Sequence, residues 1–420
     1  MTNNLLSSIL LPNKLLQEYE MTIKLKATES NTVTGNCFFN REVERKIISG
    51  KIEDGVQQLL TGQRRMGKSS IAREIGRQLV EEKGEIWNYI FVDIQACSSG
   101  AELVERLATE LHRHAEFKTM LNTWFSFAGN HISKIEKLSV SDFTITLRDH
   151  LTAANWKNKG RELLQKIESS DKRTYLVLDE FPDVVTKVHT QEGTQGVEAL
   201  MEWLRVETQA IANNKKISLL ISGSIGLEPI LQRLELSDKI NHLASYRLKP
   251  WKREIAKNCF QALANYRNIP VEDDGIDYLL DQLGVYIPFH IQRSWAKLYE
   301  YLQEEDKVTA TREDLEYVFK HIILKSESDS LISHYEERLN ETLGDDYYKF
   351  SIYLLDEMCD GEPMDEHKAN KLKIDPNIDV HYILKVLTHD GYLTEQDNYW
   401  VFEQSLLRQW WQKRKQFRVK

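Results

Sequence analysis

The stretch from Gly62 to Ser69 constrains this chain more than any other. It has the sequence Gly-Gln-Arg-Arg-Met-Gly-Lys-Ser, which is the G-x-x-x-x-G-K-[ST] spacing of a phosphate-binding loop. The glycines permit a tight turn in which successive backbone N–H groups point inward, and a following helix adds its positive end. An apolar segment, 55–60, precedes the motif, and an amphipathic helix over 69–83 is expected after it. This context favours a strand, a phosphate-binding loop and a helix over a glycine-containing surface turn.

The residue types in the loop point to specific tasks. Lys68 would reach the β- and γ-phosphates of a nucleotide, and the Ser69 hydroxyl would ligate Mg²⁺. The residues expected to surround the phosphates are Gly62, Gln63, Arg64, Arg65, Met66, Gly67, Lys68, Ser69 and Ser70.

A second decisive stretch, 174–180, runs through apolar residues into Asp179 and Glu180. It predicts a buried parallel strand that ends in two acids at the carboxyl edge of a sheet, where ligands bind in α/β proteins. Asp179 would hold Mg²⁺ through water, and Glu180 would polarise the attacking water. The alternative is a strand that ends in an exposed acidic turn, which Pro182 would favour. A phosphate-binding loop upstream makes the catalytic interpretation the stronger one.

Another buried strand, 216–224, ends in Ser-Gly-Ser. In ATPases that place a strand between those of the loop and of the two acids, a polar residue here contacts the γ-phosphate or the water. Ser222 and Ser224 are both candidates, and the residues alone do not rank them. A plain turn explains the sequence equally well.

The order of the elements predicts one three-layer α/β domain of the P-loop NTPase class, in the ASCE, AAA+-like arrangement. The predicted parts are an extension over 1–33, the α/β domain over 34–250, a helical lid over 251–325, a linker over 326–346 and a winged helix over 347–420. A hairpin-like piece is expected around 135–147.

The charges of the predicted winged helix disfavour DNA reading. Its recognition helix, 379–390, carries Lys385 against Asp379 and Asp390, whereas a helix in a phosphate-lined groove normally has net positive charge. The basic tail over 413–420 is typical of a solvated helix end. DNA therefore stays an open but disfavoured partner.

Composition sets outer limits. A chain of 420 residues with a net charge of −9 argues mildly against broad nucleic-acid binding. No apolar run reaches the length of a membrane-spanning helix, so no membrane contact is expected. Four widely spaced cysteines suggest neither a disulfide framework nor a zinc site, which fits a reducing cytoplasm.

These motifs together resemble the archaeal-type P-loop ATPase family, a branch of the STAND NTPases close to AAA+ and origin-recognition proteins. The matching stretches are 38–42 (F-x-G-R-E-like), 62–69, 178–181, Gly223-Ser224 and 284–288. The resemblance implies ATP and Mg²⁺ as ligands and places Arg41 and Pro288 at the nucleotide. Asn40 replaces the family's glycine. The replacement is compatible with the motif because Asn accepts left-handed backbone angles. Asn241-His242 stand where the family has an arginine.

These residues allow three interpretations of the function. The first is an ATP-hydrolysing switch in which Glu180 activates water and the lid and winged helix rearrange, with a protein partner or a second copy as the responder. The alternative is a DNA-binding ATPase of replication, transposition or defence, in which nucleotide regulates docking. A nucleotide-locked scaffold is a third interpretation, which the intact Asp179-Glu180 pair disfavours.

Overall fold

A computed structural model describes residues 24–28, 32–126, 138–223, 227–325, 335–337, 339–340, 343–373 and 375–418. The chain divides into two compact units. The sheet unit comprises Arg41–Lys249, Glu336–Glu403 and Trp411–Lys420, and the helical unit comprises Met1–Asn40, Pro250–Tyr335 and Gln404–Trp410. The five-part division expected from the sequence stays a prediction.

A five-stranded sheet forms the centre of the sheet unit. Its strands are β1 (Gln58–Thr61), β2 (Trp87–Asp93), β3 (Arg173–Asp179), β4 (Ile217–Ser222) and β5 (Ala244–Arg247). All pairs are parallel, in the order β2-β3-β4-β1-β5. The predicted strands are confirmed with small shifts of their ends, and β4 lies between β1 and β3 as expected.

Helices cover both faces of this sheet, which confirms the three-layer α/β architecture. On one side lie α1 and α2; on the other lie α3, α6 and α7. The helices of this part of the chain are α1 (Glu42–Glu53), α2 (Lys68–Lys83), α3 (Gly100–Arg113), α4 (Ala115–Ser126), α5 (Val140–Arg148), α6 (Trp156–Glu168), α7 (Phe181–Asn214, with a break at Gly193) and α8 (Leu227–Arg233).

The alternation of side chains along the strands explains the layers. On β3, Leu176 and Leu178 face the large apolar cluster shared with α3, α6 and α7. Tyr175 alternates with them and stacks on Tyr89 of β2, with ring centroids 5.5 Å apart. Both faces of β3 are therefore buried, which is why its sequence is a nearly continuous apolar run.

The hairpin expected around 135–147 is wrong where the structure describes it. Residues 140–148 form helix α5, and 135–137 lie outside the described residues. Ser139 caps the helix by accepting from the Asp142 N–H, and the buried residues Phe143 and Leu147 are four positions apart. The apparent alternation included Ile145, which is 60% exposed and does not contribute to the core.

The remaining elements belong to the second half of the chain. They are α9 (Arg253–Arg267), α10 (Asp273–Leu283), α11 (Pro288–Glu304), α12 (Arg312–Val318, extended by a π turn), α13 (Asp345–Met358), α14 (Glu366–Leu372), α15 (Val380–His389), the antiparallel strands β6 (Leu393–Gln396) and β7 (Tyr399–Phe402), and α16 (Ser405–Arg418). None of the helices in the described ranges combines the length and apolar character that crossing a bilayer requires.

The helical unit packs around aromatic residues of α9 and α11. Phe260 and Trp295 meet edge to face at 5.6 Å between ring centroids. Residues 24–28, which the sequence assigns to an extension, join this unit: the Leu25 N–H donates to the Ala262 carbonyl at 3.0 Å. In the sheet unit, the segment α13–β7 contains the helix, helix, helix and hairpin order expected of a winged helix.

Two glycines provide a paired test of the packing. A Cβ added to Gly76 of α2 would lie closer than 3.0 Å to the Tyr89 ring, whereas one added to Gly50 of α1 would meet nothing within 4 Å. We expect Gly76→Ala to lower the free energy of unfolding by about 1–3 kcal/mol through overpacking. Gly50→Ala should raise it by about 0.5–1 kcal/mol through helix propensity. Denaturant midpoints measure both, and equal effects of the two variants would contradict this packing.

Candidate functional site

The loop between β1 and α2 has the backbone that the glycine motif predicts. Gly62 has φ +143°, and a Cβ there would lie 2.8 Å from the Leu248 carbonyl oxygen, so a side chain is excluded. Gly67 has φ +91° and directly precedes α2, whose first residue is Lys68. Strand, loop and helix therefore follow one another as a phosphate-binding loop requires, with the helix N-terminus at the loop.

Lys68 is held within the loop. The side chain is buried, and its Nζ donates to the carbonyl oxygens of Gly62 at 2.7 Å and Gln63 at 2.9 Å. A buried ammonium is stable only where such acceptors surround it. The positive charge is thereby kept at the loop, where an anionic ligand would meet it.

Asp179 lies where three elements converge. It ends β3, accepts a hydrogen bond from the Ser222 hydroxyl at the end of β4, and lies beside Ser69 in the first turn of α2. Burial raises the pKa of Asp179, and the hydroxyls of Ser222 and Ser69 oppose that shift. Hydroxyl and carboxylate oxygens are the ligands that Mg²⁺ prefers, so Ser69 and Asp179 fit the predicted metal site.

Glu180 follows with an unusual backbone. Its φ of 63° is left-handed, a conformation that costs a residue with a side chain on the order of 1 kcal/mol. It precedes α7 and is half-buried. This strained residue forms the turn between β3 and α7, directly beside Asp179. The water-activating role of Glu180 stays a prediction.

The small residue after Ser222 has a packing reason. A Cβ on Gly223 would lie closer than 3.0 Å to the ring of Pro182. Pro182 belongs to the first turn of α7, so the ends of β3 and β4 can approach only because Gly223 lacks a side chain. The structure brings Ser222 to Asp179, whereas Ser224 lies outside the described residues.

The other predicted site residues divide into two groups. In the loop, Gln63 and Met66 are buried, Arg64 and Ser70 are half-buried, and Arg65 has a left-handed backbone with φ 66°. Outside the loop, the guanidinium of Arg41 bonds to carbonyl oxygens of the protein itself. Pro288 is the first residue of α11 in the helical unit, and its contact with a nucleotide stays a prediction.

The sequence did not predict a contact between the phosphate-binding loop and the C-terminal part of the sheet unit. The Gln63 amide donates to the carboxylate of Glu403, which directly follows β7. A Cβ on Gly391 would lie closer than 3.0 Å to the same Gln63 side chain. Burial raises the pKa of Glu403, and the Gln63 bond and the charge of Arg247 oppose the shift. Nothing local in the sequence signals this contact, because its partners are 340 positions apart.

Comparison with known proteins agrees with this geometry. Residues 58–231 match the family described as AAA domain. A Walker-type ATPase of Pyrococcus abyssi has a TM-score of 0.61 at 18% identity, over 93% of this chain and 99% of its own. The ORC2 protein of Aeropyrum pernix, in ADPNP and ADP complexes, has a TM-score of 0.54 at 10% identity, over 95% and 98%. No curated protein matches the chain.

The buried carboxylate predicts a pH-dependent stability. Because burial raises the pKa of Asp179 in the folded state, its ionised form costs folding free energy near neutral pH. We expect Asp179→Asn to raise the melting temperature of the nucleotide-free protein by a few degrees near neutral pH. The difference in melting temperature between the variant and the wild type should shrink as the pH falls through the raised pKa of Asp179, because the wild-type carboxyl then becomes protonated.

The control for this experiment is Asp93→Asn. Asp93 ends β2 in register with Asp179, but its side chain is exposed. Thermal melts at several pH values should show little change for this variant. A melting temperature lowered by Asp179→Asn at every pH would contradict the assigned cost of burial.

Proposed function

We propose that this protein, whose residues 58–231 form an AAA domain in a chain with the fold of an archaeal-type P-loop ATPase, is a Mg²⁺-dependent ATP-hydrolysing switch. The observation that carries the proposal is the cluster of Lys68, Ser69, Asp179 and Ser222 at one edge of the sheet. It unites a cation, two hydroxyls and a carboxylate around a loop built for phosphate.

The residues of the cluster divide the chemistry. Mg²⁺, held by Ser69 and by Asp179 through water, would neutralise charge on the β- and γ-phosphate oxygens. Lys68 adds a second positive charge to the same oxygens. Glu180 accepts a hydrogen bond from the attacking water and orients it, while Ser222 keeps the Asp179 carboxylate in place. Positioning and charge stabilisation of this kind supply most of the rate enhancement in phosphoryl transfer.

Adenine is the expected base. The chain has no N-K-x-D motif, by which guanine-specific enzymes recognise their base. The structurally similar ORC2 protein of Aeropyrum pernix was solved in ADPNP and ADP complexes. Both observations favour ATP over GTP.

The switch part of the proposal rests on the bond between Gln63 and Glu403. Gln63 is inside the phosphate-binding loop, and Glu403 follows the hairpin that we interpret as the wing of a winged helix. A ligand that changes the conformation of the loop would therefore strain or break this bond. We infer that the nucleotide state of the loop is communicated to the C-terminal segment through this bond, and that hydrolysis of ATP rearranges the lid.

DNA reading by the proposed recognition helix has little structural support. Seven of the ten residues of α15 are buried, which leaves few side chains to enter a groove. Lys385, its one lysine, bonds Gln232 at 3.2 Å. The helix therefore contacts protein rather than presenting a positive face to solvent.

Turnover of ATP is the direct test. We expect Mg²⁺-dependent phosphate release by the wild type, and a loss of roughly 100-fold or more in Lys68→Ala and Glu180→Gln. Glu180→Gln should still bind ATP, because it keeps the loop and the cation. A phosphate-release assay and binding of a fluorescent ATP analogue measure the two properties.

The matched control is Lys83→Ala at the other end of α2. Lys83 pairs with Glu53 on the surface, so its removal should leave turnover unchanged. Absence of turnover in the wild type, with and without duplex DNA, would favour a nucleotide-locked scaffold. Turnover that persists in Lys68→Ala would contradict the proposed site.

The contact at Glu403 gives a separate prediction. The half-buried carboxylate of Glu403 beside the phosphate-binding loop repels the phosphates of a nucleotide. Glu403→Gln removes the charge and keeps a hydrogen-bonding group, so we expect ATP affinity to rise by about 2- to 10-fold. Glu395→Gln, at an exposed position of β6, is the control and should change nothing. Equal affinities of all three proteins would contradict the proposed repulsion between Glu403 and bound phosphate.

A further inference from the structure

Arg41 has surroundings that a direct contact with nucleotide does not explain. It immediately precedes α1 with a left-handed backbone, φ 77°, and only 4% of the residue is exposed. Burial lowers the pKa of its guanidinium, and the contact with Glu44 opposes that shift. A charge this buried must find acceptors within the protein, because an unpaired one would be strongly destabilising.

Those acceptors come from three separate segments of the sheet unit. Nη1 donates to Glu44 Oε1 at 2.7 Å and to the carbonyl oxygen of Lys249 at 2.8 Å. Nη2 donates to the carbonyl oxygen of Met66 at 3.3 Å. A single side chain therefore joins α1, the chain that follows β5, and the interior of the phosphate-binding loop.

The contact with Met66 fixes a peptide whose orientation matters for phosphate. The Met66 carbonyl and the Gly67 N–H belong to one planar trans peptide, so they point in opposite directions. Glycine allows this peptide to rotate at little steric cost. Gly67 has φ +91°, and a Cβ there would meet nothing within 4 Å, so the glycine serves backbone conformation rather than space. Some other group must hold the peptide.

We propose that Arg41 is a positioning residue of the phosphate-binding loop: by holding the Met66 carbonyl, it directs the Gly67 N–H toward bound phosphate. The inference rests on the proposed function, since the ligand is the phosphate chain of ATP. A planar guanidinium presents several donors in fixed directions and reaches two carbonyls and a carboxylate together, whereas a lysine ammonium is a single point charge.

The test compares Arg41→Ala and Arg41→Lys with the wild type. Hydrogen bonds from charged groups of this kind correspond to roughly 10- to 100-fold in an equilibrium constant. We expect Arg41→Ala to weaken binding of a fluorescent ATP analogue by that factor, and Arg41→Lys to be intermediate. Guanidinium chloride at millimolar concentration should restore part of the affinity of Arg41→Ala by occupying the vacated space, and it should not restore Lys68→Ala.

The control is Arg45→Ala. Arg45 lies on α1 one turn after Arg41 and pairs with Glu42 at 3.6 Å and Glu74 at 3.9 Å, both outside the loop. It should bind the analogue like the wild type. If Arg41→Ala does not fold, as judged by thermal melting, the comparison rests on Arg41→Lys, for which an affinity equal to the wild type would overturn the proposal.

The outcomes separate the two proposals. A wild type that does not bind the analogue refutes the proposed function itself. A wild type that binds, with an equally tight Arg41→Ala variant, overturns only the role of Arg41. Equal losses in Arg41→Ala and Arg45→Ala would also overturn it, because they would reflect a general destabilisation of α1.

Discussion

The buried carboxylate of Asp179 is the group on which the geometry of the site depends. It ends β3, accepts a hydrogen bond from Ser222 at the end of β4, and lies beside Ser69 at the start of α2. A charge in the interior is tolerated only where such polar groups surround it. The ends of β3 and β4 and the start of α2 therefore meet at this carboxylate, and Lys68, the neighbour of Ser69, is placed with them.

The site concentrates arrangements that are unfavourable for stability. The charges of Asp179, Lys68 and Arg41 are buried, that of Glu403 is half-buried, and Glu180 has a left-handed backbone. Such features persist where the surrounding structure enforces them, and they are found at functional sites more often than elsewhere. Here the enforcing structure is the apolar cluster that β2, β3 and β4 share with α3, α6 and α7. The rigid core thus allows the edge of the sheet to carry polar groups.

Local reasoning succeeded where one segment contained both the signal and its cause. The glycine motif required a turn and a helix start, and the apolar run into two acids required a buried strand with a polar end; both are present. Local reasoning failed over 140–148, because a short pattern of apolar residues fits both the helical and the strand periodicity. Only the burial of Phe143 and Leu147 in the tertiary structure distinguishes the helix. The long helix α7 was not foreseen either.

By itself, the sequence determined the class of the fold, the phosphate-binding loop and the identity of its charged and hydroxyl residues, because backbone conformation and the polarity of strand ends are encoded within a few neighbouring positions. Tertiary structure decided which of these groups meet. It brought Ser222 to Asp179, turned Arg41 toward the Met66 carbonyl, and brought Glu403 to Gln63. These contacts join residues tens to hundreds of positions apart, and they form only when packing of the core brings distant segments to the same edge of the sheet.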